Sequence, residues 1–421
     1  MDNFTIAIAG LGSRGREAYA RCAVELDIAI VAVADTDAER VREAAAAFGI
    51  PADRCFLSAD ELLKQDKLAD ALLVCTQDEN HYDTSTRAIR KGYHLLLEKP
   101  IATTEAHCAE IARVATEHER CVVVCHGMRY SPLYRKIKEV IDSGEIGEVV
   151  TINAFEGVGY YHHAHSFVRG AWRNSVESSP MILAKCCHDV DMLIWLTGKR
   201  VKNVSSFGGL YYFRKEKAPE GAAERCIAGC LAKESCPYDA ERIYFTDEVS
   251  GIDHGNNRWP ANVLAKPVTV DSIRQALETG PYGRCVFNSD NDVVDHQVVN
   301  IEFENDITAH LTMTAFTPVV KRMIKVMGTL GMIEGDTWDN AVKTSIFGGE
   351  VRDEEIINDV VGEFDNHGGN DVRLFKAFAR LLTTGESDKY LTSIDRSVES
   401  HLVCFAAERS RLNGGTPERM I

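Results

Sequence analysis

Hydrophobic positions in the first third of the chain gather into short unbroken runs separated by amphipathic stretches. Thr5 to Ala9, Ile28 to Ala34, Asp70 to Thr76, Leu95 to Leu97 and Cys121 to Cys125 read as buried strands. Between them, Arg16 to Leu26, Glu39 to Phe48, Ser58 to Lys64, Thr84 to Gly92 and Thr103 to His118 carry helical spacing. Strands alternating with helices at this pace predict a doubly wound parallel sheet. Later the period shortens to two. Val149 to Glu156, Arg284 to Asn288, Val293 to Phe303, Ile307 to Phe316, Arg322 to Gly328 and Gly331 to Glu334 read as strands of an open sheet. Helices are expected over Leu133 to Ile141, Val190 to Leu196, Val372 to Leu382 and Ser393 to Leu412. The predicted fold is α/β: a Rossmann domain over 1–125, then an α+β domain over 126–421 with an open, mostly antiparallel sheet and a cysteine-containing insertion near 211–265.

The loop after the first strand is Gly10-Leu-Gly12-Ser13-Arg14-Gly15, placed between a strand and a helix. In that position the first glycine permits a tight turn, the second lets a pyrophosphate approach the backbone, and the third lets the helix pack on the strand. Helix-start N–H groups then face the phosphates. The second strand ends at Asp35, where an acid accepts hydrogen bonds from a ribose 2′-hydroxyl and repels a 2′-phosphate. Thr36 and Asp37 follow rather than an arginine pair, so NAD is favoured over NADP. The Leu95 run stops at Glu98-Lys99-Pro100. Proline forces the preceding residue out of helical conformation and ends the strand, leaving Lys99 at the carboxyl edge of the sheet, where open α/β folds bind ligands.

Composition narrows the class. The chain has 421 residues, 45% hydrophobic and 26% charged, with no apolar run long enough to span a membrane. A net charge of −16 argues against nucleic-acid and anionic-membrane partners. Thirteen scattered cysteines without a signal-peptide pattern suggest reduced thiols and a cytoplasmic location.

The glycine loop, Asp35, the turn Thr76 to His81, the segment Gly92 to Pro100 and the later His188-x-x-Asp191 together resemble the glucose-fructose oxidoreductase, inositol dehydrogenase and rhizopine-catabolism family. The resemblance covers most of the chain, with a long departure near 211–265. It implies NAD as cofactor, with Thr76, Asn80, His81 and Glu98 around it, Asn80 and Glu98 on the nicotinamide half. Lys99 becomes the catalytic or substrate-orienting lysine and His188 its partner. The family pattern places an aspartate four residues before that histidine. Here the position is Ala184, and the adjacent Lys185 is the candidate replacement.

Substrate contacts are expected from Arg129 and Tyr130 before Pro132, and from the loop holding Tyr160 to His163, His165, Arg169, Trp172 and Arg173. Aromatic faces and polar donors there suit a hydroxylated ligand. Asp295 to Gln297 and His367 are further polar groups that either touch a ligand or serve structure. Arg258 and Trp259-Pro260 are placed to cap the pocket. In the insertion, Cys226-x3-Cys230-x5-Cys236 reads by default as reduced thiols, the alternative being a structural zinc completed by Cys186 or Cys187. The function expected is NAD-dependent oxidation or reduction of a secondary hydroxyl on a sugar, polyol or glycoside. The rivals are an NAD-dependent glycosidase working through transient oxidation and a non-catalytic NAD-sensing regulator. An open sheet needs a cover, so a homodimer or homotetramer is expected.

Overall fold

The computed structural model describes residues 4–360 and 366–421, apart from the side chains of 366 and 367, so the expectation for His367 lies outside the described residues. Six parallel strands, β1 (Thr5–Ala9), β2 (Ala29–Ala34), β3 (Cys55–Phe56), β4 (Ala71–Val74), β5 (His94–Leu97) and β6 (Val122–Val124), form the first sheet in the order β3-β2-β1-β4-β5-β6. The direction of strand addition reverses between β1 and β4, which opens a crevice at their carboxyl ends. Helices cover both faces, with Ile6, Ile8, Leu73 and Leu96 packed on one side and Ala7, Ala9, Leu72, Leu95 and Leu97 on the other. Burial on both faces is why these strands read as unbroken apolar runs rather than alternating ones.

One covering helix comes from far along the chain. Asn370–Thr384 sends Val372, Leu374, Phe375 and Phe378 into the cluster that holds Phe4, Ile6 and Tyr19. The helix Ile394–Leu412 spans both halves: Ile394 packs on the first sheet, while Val403, Cys404, Ala406 and Ala407 join the core of the second.

The second sheet has nine strands: β7 (Val149–Gly157), β8 (Val201–Gly209), β9 (His296–Phe303), β10 (Thr308–Thr314), β11 (Lys321–Gly328), β12 (Gly331–Asp336), β13 (Ala341–Ile346), β14 (Val351–Glu355) and β15 (Glu418–Arg419). Their order is β14-β13-β12-β11-β7-β10-β9-β8-β15, antiparallel throughout except for the β7–β10 pair. Helices Pro132–Ser143, Cys187–Thr197 and Ile394–Leu412 cover one face through Leu133, Ile137, Leu193 and Val403. On the other face, one cross-strand row joins Met323, Phe155, Thr312, Val298 and Phe207. Phe207 and Met323 in that row remain 54% and 39% exposed.

The strand expected over Arg284 to Asn288 is not formed. Only the bridge between Arg225 and Arg284 is made, because this run lies against the insertion and has no extended neighbour to pair with. Strands β13 and β14 lack a clear apolar alternation. They form because β12 presents its open edge to them.

Candidate active site

The glycine loop has the geometry its spacing implies. Gly10 sits at φ 95°, and a Cβ there would lie 2.3 Å from the Cys75 carbonyl oxygen. A Cβ on Gly15 would lie 1.9 Å from the Gly10 carbonyl oxygen, whereas one on Gly12 would meet nothing within 4 Å. The loop is therefore closed on the strand side and open where a pyrophosphate would approach, with exposed Ser13 starting the helical segment Ser13–Ala20. Asp35 Oδ2 accepts the Leu11 N–H at 2.6 Å and Oδ1 accepts the Asp37 N–H at 2.9 Å, which fixes the carboxylate beside the loop. At the end of β4 the Thr76 hydroxyl is buried without a hydrogen-bond partner. These features fit a dinucleotide lying across the switch point.

Arg14 is committed elsewhere. Its guanidinium turns inward, donating to Glu98 Oε1 at 2.7 Å, to the Tyr19 hydroxyl at 2.6 Å and to both oxygens of Asp371 at 2.7 and 2.8 Å. Glu98 also accepts the Tyr19 hydroxyl at 2.8 Å and the Lys99 N–H at 3.0 Å. Burial works to raise the Glu98 carboxyl, but the Arg14 charge and hydrogen bond, joined by Lys99 and the Tyr19 hydroxyl, together outweigh it and hold the group below the usual carboxylate range. This network ties the glycine loop, the end of β5 and the helix Asn370–Thr384 into one unit. Buried His81 lies between the two turns, its Nδ1 2.7 Å from the Pro100 carbonyl and its Nε2 3.1 Å from the Thr76 carbonyl, so that one ring N–H ties the Lys99 turn to the β4 turn. Asn80 is exposed, its amide donating to Glu79 at 3.3 Å.

Lys99 leaves β5 and points across the crevice, its Nζ donating to the Ala184 carbonyl at 2.7 Å. That contact brings it to Lys185 and to His188, which lies in the first turn of the helix Cys187–Thr197. His188 Nδ1 stands 3.4 Å from His126 Nδ1. Burial pushes His188 well below its ordinary value, and the positive charge of Lys99 and the neighbouring His126 add to the effect, so the ring is neutral near pH 7 and able to accept a proton. Behind this pair, His401 donates from Nδ1 to the Ser397 carbonyl at 3.0 Å and accepts the Ile101 N–H on Nε2 at 2.9 Å.

Lys185 occupies a buried charge cluster. Its Nζ lies 3.3 Å from Glu156 Oε1, while Arg322 Nε contacts Glu156 Oε2 at 2.7 Å and Asp189 Oδ1 at 2.8 Å. Burial lowers the Lys185 ammonium and Glu156 opposes that shift, while burial raises Glu156 against the pull of Arg322 and Lys185. Sheet register builds the cluster, since Arg322 on β11 stands directly opposite Glu156 on β7. Half-buried His162, whose Nδ1 is shielded from solvent without a partner, is depressed by desolvation and then by Lys185, which places it beside the same group.

Several expected substrate contacts have structural partners instead. Arg129 is fully buried and grips Asp191 with two hydrogen bonds of 2.7 and 2.6 Å, so both the arginine and the aspartate of His188-x-x-Asp191 face the core. Tyr130 is wholly buried. Arg169 turns into the insertion, donating to the carbonyls of Arg284 and Tyr238 at 2.7 Å each. Arg173 holds Asp290 at 2.8 Å on the surface. His165 accepts or donates at 2.8 Å to the Tyr244 hydroxyl and stacks on Tyr282 with ring centres 4.7 Å apart. Asp295 accepts the N–H groups of Tyr211 and Tyr212 at 2.9 and 2.7 Å, which is also a structural role.

Trp172 does reach the crevice, its indole N–H 3.3 Å from Asp78 Oδ2 in the turn after β4. Trp259 packs its ring over His162 at 4.7 Å and His165 at 5.2 Å. The residues that sequence reasoning missed are His126, Asp78, Glu156, Asp189 and Arg322. The signal for Asp78 lay inside the Thr76 to His81 turn, but the others become neighbours only once strand register and the His188 helix are known. Cys186 and Cys187 lie in the second core under that helix, away from the thiols of the insertion.

Residues 4–126 match the family described as an oxidoreductase family with an NAD-binding Rossmann fold, and residues 138–411 match its C-terminal alpha/beta domain. Among curated proteins, the chain is 24% identical over 287 residues to the putative oxidoreductase YteT of Bacillus subtilis, covering 66% of this chain and 62% of that one. It is 30% identical over 175 residues to inositol 2-dehydrogenase 2 of Saccharopolyspora erythraea, covering 41% and 47% respectively. The match thus spans roughly half to three fifths of those relatives' length. The fold superposes on an inositol dehydrogenase homolog from Azotobacter vinelandii complexed with NAD+ at a TM-score of 0.70, 17% identity and 99% and 97% coverage. An oxidoreductase from Agrobacterium radiobacter in complex with NAD+, L-tartaric acid and magnesium gives 0.69 at 14% identity, with 99% and 98% coverage. With both halves matched in order, this chain belongs to the glucose-fructose oxidoreductase, inositol dehydrogenase and rhizopine-catabolism family of NAD-binding oxidoreductases.

Proposed function

We propose that this protein is an NAD-dependent dehydrogenase acting on a secondary hydroxyl of a polyol or sugar, with Lys99 and His188 at the reacting carbon. The observation that carries the reading is the convergence of Lys99, at the carboxyl edge of the glycine-loop sheet, with the neutral His188 from the opposite side of the crevice. NAD, when bound, supplies the hydride acceptor. The chain's own work is to orient the alcohol and take its proton. Lys99 Nζ, now resting on the Ala184 carbonyl, is placed to hold the substrate oxygen, and His188 to receive the hydroxyl proton. Lys185, Glu156 and Arg322 form a polar wall with donors and an acceptor for neighbouring hydroxyls. The names of the inositol dehydrogenase relatives support a polyol as the first substrate class to try.

A panel of polyols, free sugars and aryl glycosides, read at once for NADH and for released aglycone, tests the proposal. NADH accumulating with a polyol or sugar is expected. Aglycone release without net NADH would establish the redox-assisted glycosidase instead. The uncovered row Met323, Phe155, Thr312, Val298 and Phe207 supports a homo-oligomer formed through that sheet face, which sedimentation measurements check.

A further inference from the structure

We propose that Cys226, Cys230, Cys236 and Cys285 bind a thiophilic metal centre that fixes the insertion against the segment carrying His162 and His165. The four side chains line one small cavity of about 10 Å³, whose other walls include Pro219, Ala222, Phe287 and the buried Asp239. The fourth member is Cys285, from the run that failed to form a strand. Its backbone explains why: the Cys285 N–H donates to the Glu224 carbonyl at 2.9 Å and the Cys226 N–H to the Gly283 carbonyl at 3.0 Å. These bonds flank the Arg225–Arg284 bridge and hold the first and last thiols side by side.

A further observation points to a bound anionic centre. Arg169 is only 1% exposed, and its guanidinium holds the Arg284 and Tyr238 carbonyls and lies 3.5 Å from Cys226 Sγ. Its Nη1 is buried without a partner, and among the described residues no carboxylate lies at ion-pair distance from it. A buried cation needs a counter-charge. Four thiolates on Zn2+, or on an iron–sulfur core, carry net negative charge and supply one at that point.

As placed, no group of three or more His, Cys, Asp or Glu side chains among the described residues is arranged to hold a metal ion. A single ion would draw the thiols inward by rotation about their Cα–Cβ bonds, whereas a polynuclear core would fill the space between them. The centre would act as a staple, because Cys226, Tyr238 and Cys285 share one core cluster with Tyr161, Ala164 and Val168.

The test is elemental and acid-labile sulfide analysis of the full-length protein, purified without oxygen from cells supplied with zinc and iron. About one zinc per chain without visible colour, or iron with matching sulfide and a broad visible band, supports the proposal and identifies the metal. Cys226→Ser and Cys285→Ser are expected to lose the metal, and Cys55→Ser, outside the cavity, to keep it. Because a cysteine variant can fail to fold, the wild-type protein is also titrated with an organomercurial, which should release metal in step with thiol modification. Metal-free wild-type protein whose Cys226 is alkylated equally fast with and without a chelator would overturn the assignment, as would metal retained by both serine variants.

Discussion

Adding one methyl group to the glycine loop should have opposite consequences at two positions three residues apart. At Gly12 the new Cβ meets no protein atom within 4 Å, so Gly12→Ala is expected to leave the melting temperature unchanged while weakening NAD by about tenfold or more, roughly 1.4 kcal/mol. At Gly15 the same group would stand 1.9 Å from the Gly10 carbonyl oxygen, so Gly15→Ala should destabilise the fold by about 1–3 kcal/mol or more. Thermal unfolding beside a fluorescence titration with NAD separates the two outcomes. The Asp191 carboxylate and Arg129 are 1% and 3% exposed, so Asp191→Ala strands a buried guanidinium and should cost about 3–5 kcal/mol in denaturant unfolding.

At the scale of elements, features confined to a short stretch of chain were legible and features made by tertiary register were not. The glycine loop, the acid after β2 and the Lys99 turn each depend on residues within a few positions, so spacing alone defined them. Thr104 caps its helix just as locally, its hydroxyl accepting the His107 N–H at 3.2 Å. Glu156 and Arg322 gave no such sign, because a glutamate and an arginine 166 positions apart become partners only through the β7–β11 register. The helix Asn370–Thr384 was expected as a helix, but nothing in its pattern showed that it covers the first sheet. Its Asp371 grips Arg14 of the glycine loop, a contact that joins the end of the chain to its beginning. Asp371→Asn should therefore loosen the loop as well as the helix. After allowing for the part of Arg14 that reaches solvent, a loss of about 1–3 kcal/mol is expected in denaturant unfolding, with weaker NAD binding.

For the molecule as a whole, the number of buried imidazoles sets the response to acid. Burial depresses His163 to about 4 and His165 and His401 to about 3, and it also lowers His94, His126, His162 and His188. In the unfolded chain each takes up a proton near pH 6.5, and in the folded chain only at a lower pH. Between those values the unfolded state binds more protons, so stability falls as pH drops below about 6.5, at up to about 1.4 kcal/mol per pH unit for each such ring. Glu156, raised by burial, opposes this trend, but it is one group against seven. Melting temperatures measured from pH 7.5 to 5 should fall steadily, and a flat profile would mean that these rings are not held neutral.

Lys99 joins the cofactor sheet to the His188 side of the crevice, and the proposed chemistry depends on it. With a substrate identified from the panel, NADH formation by the wild-type protein and by Lys99→Ala should be compared at saturating NAD, with NAD affinity measured in parallel. Loss of about 10²–10⁴-fold in kcat with NAD binding retained is the expected result. Turnover near the wild-type rate would contradict it.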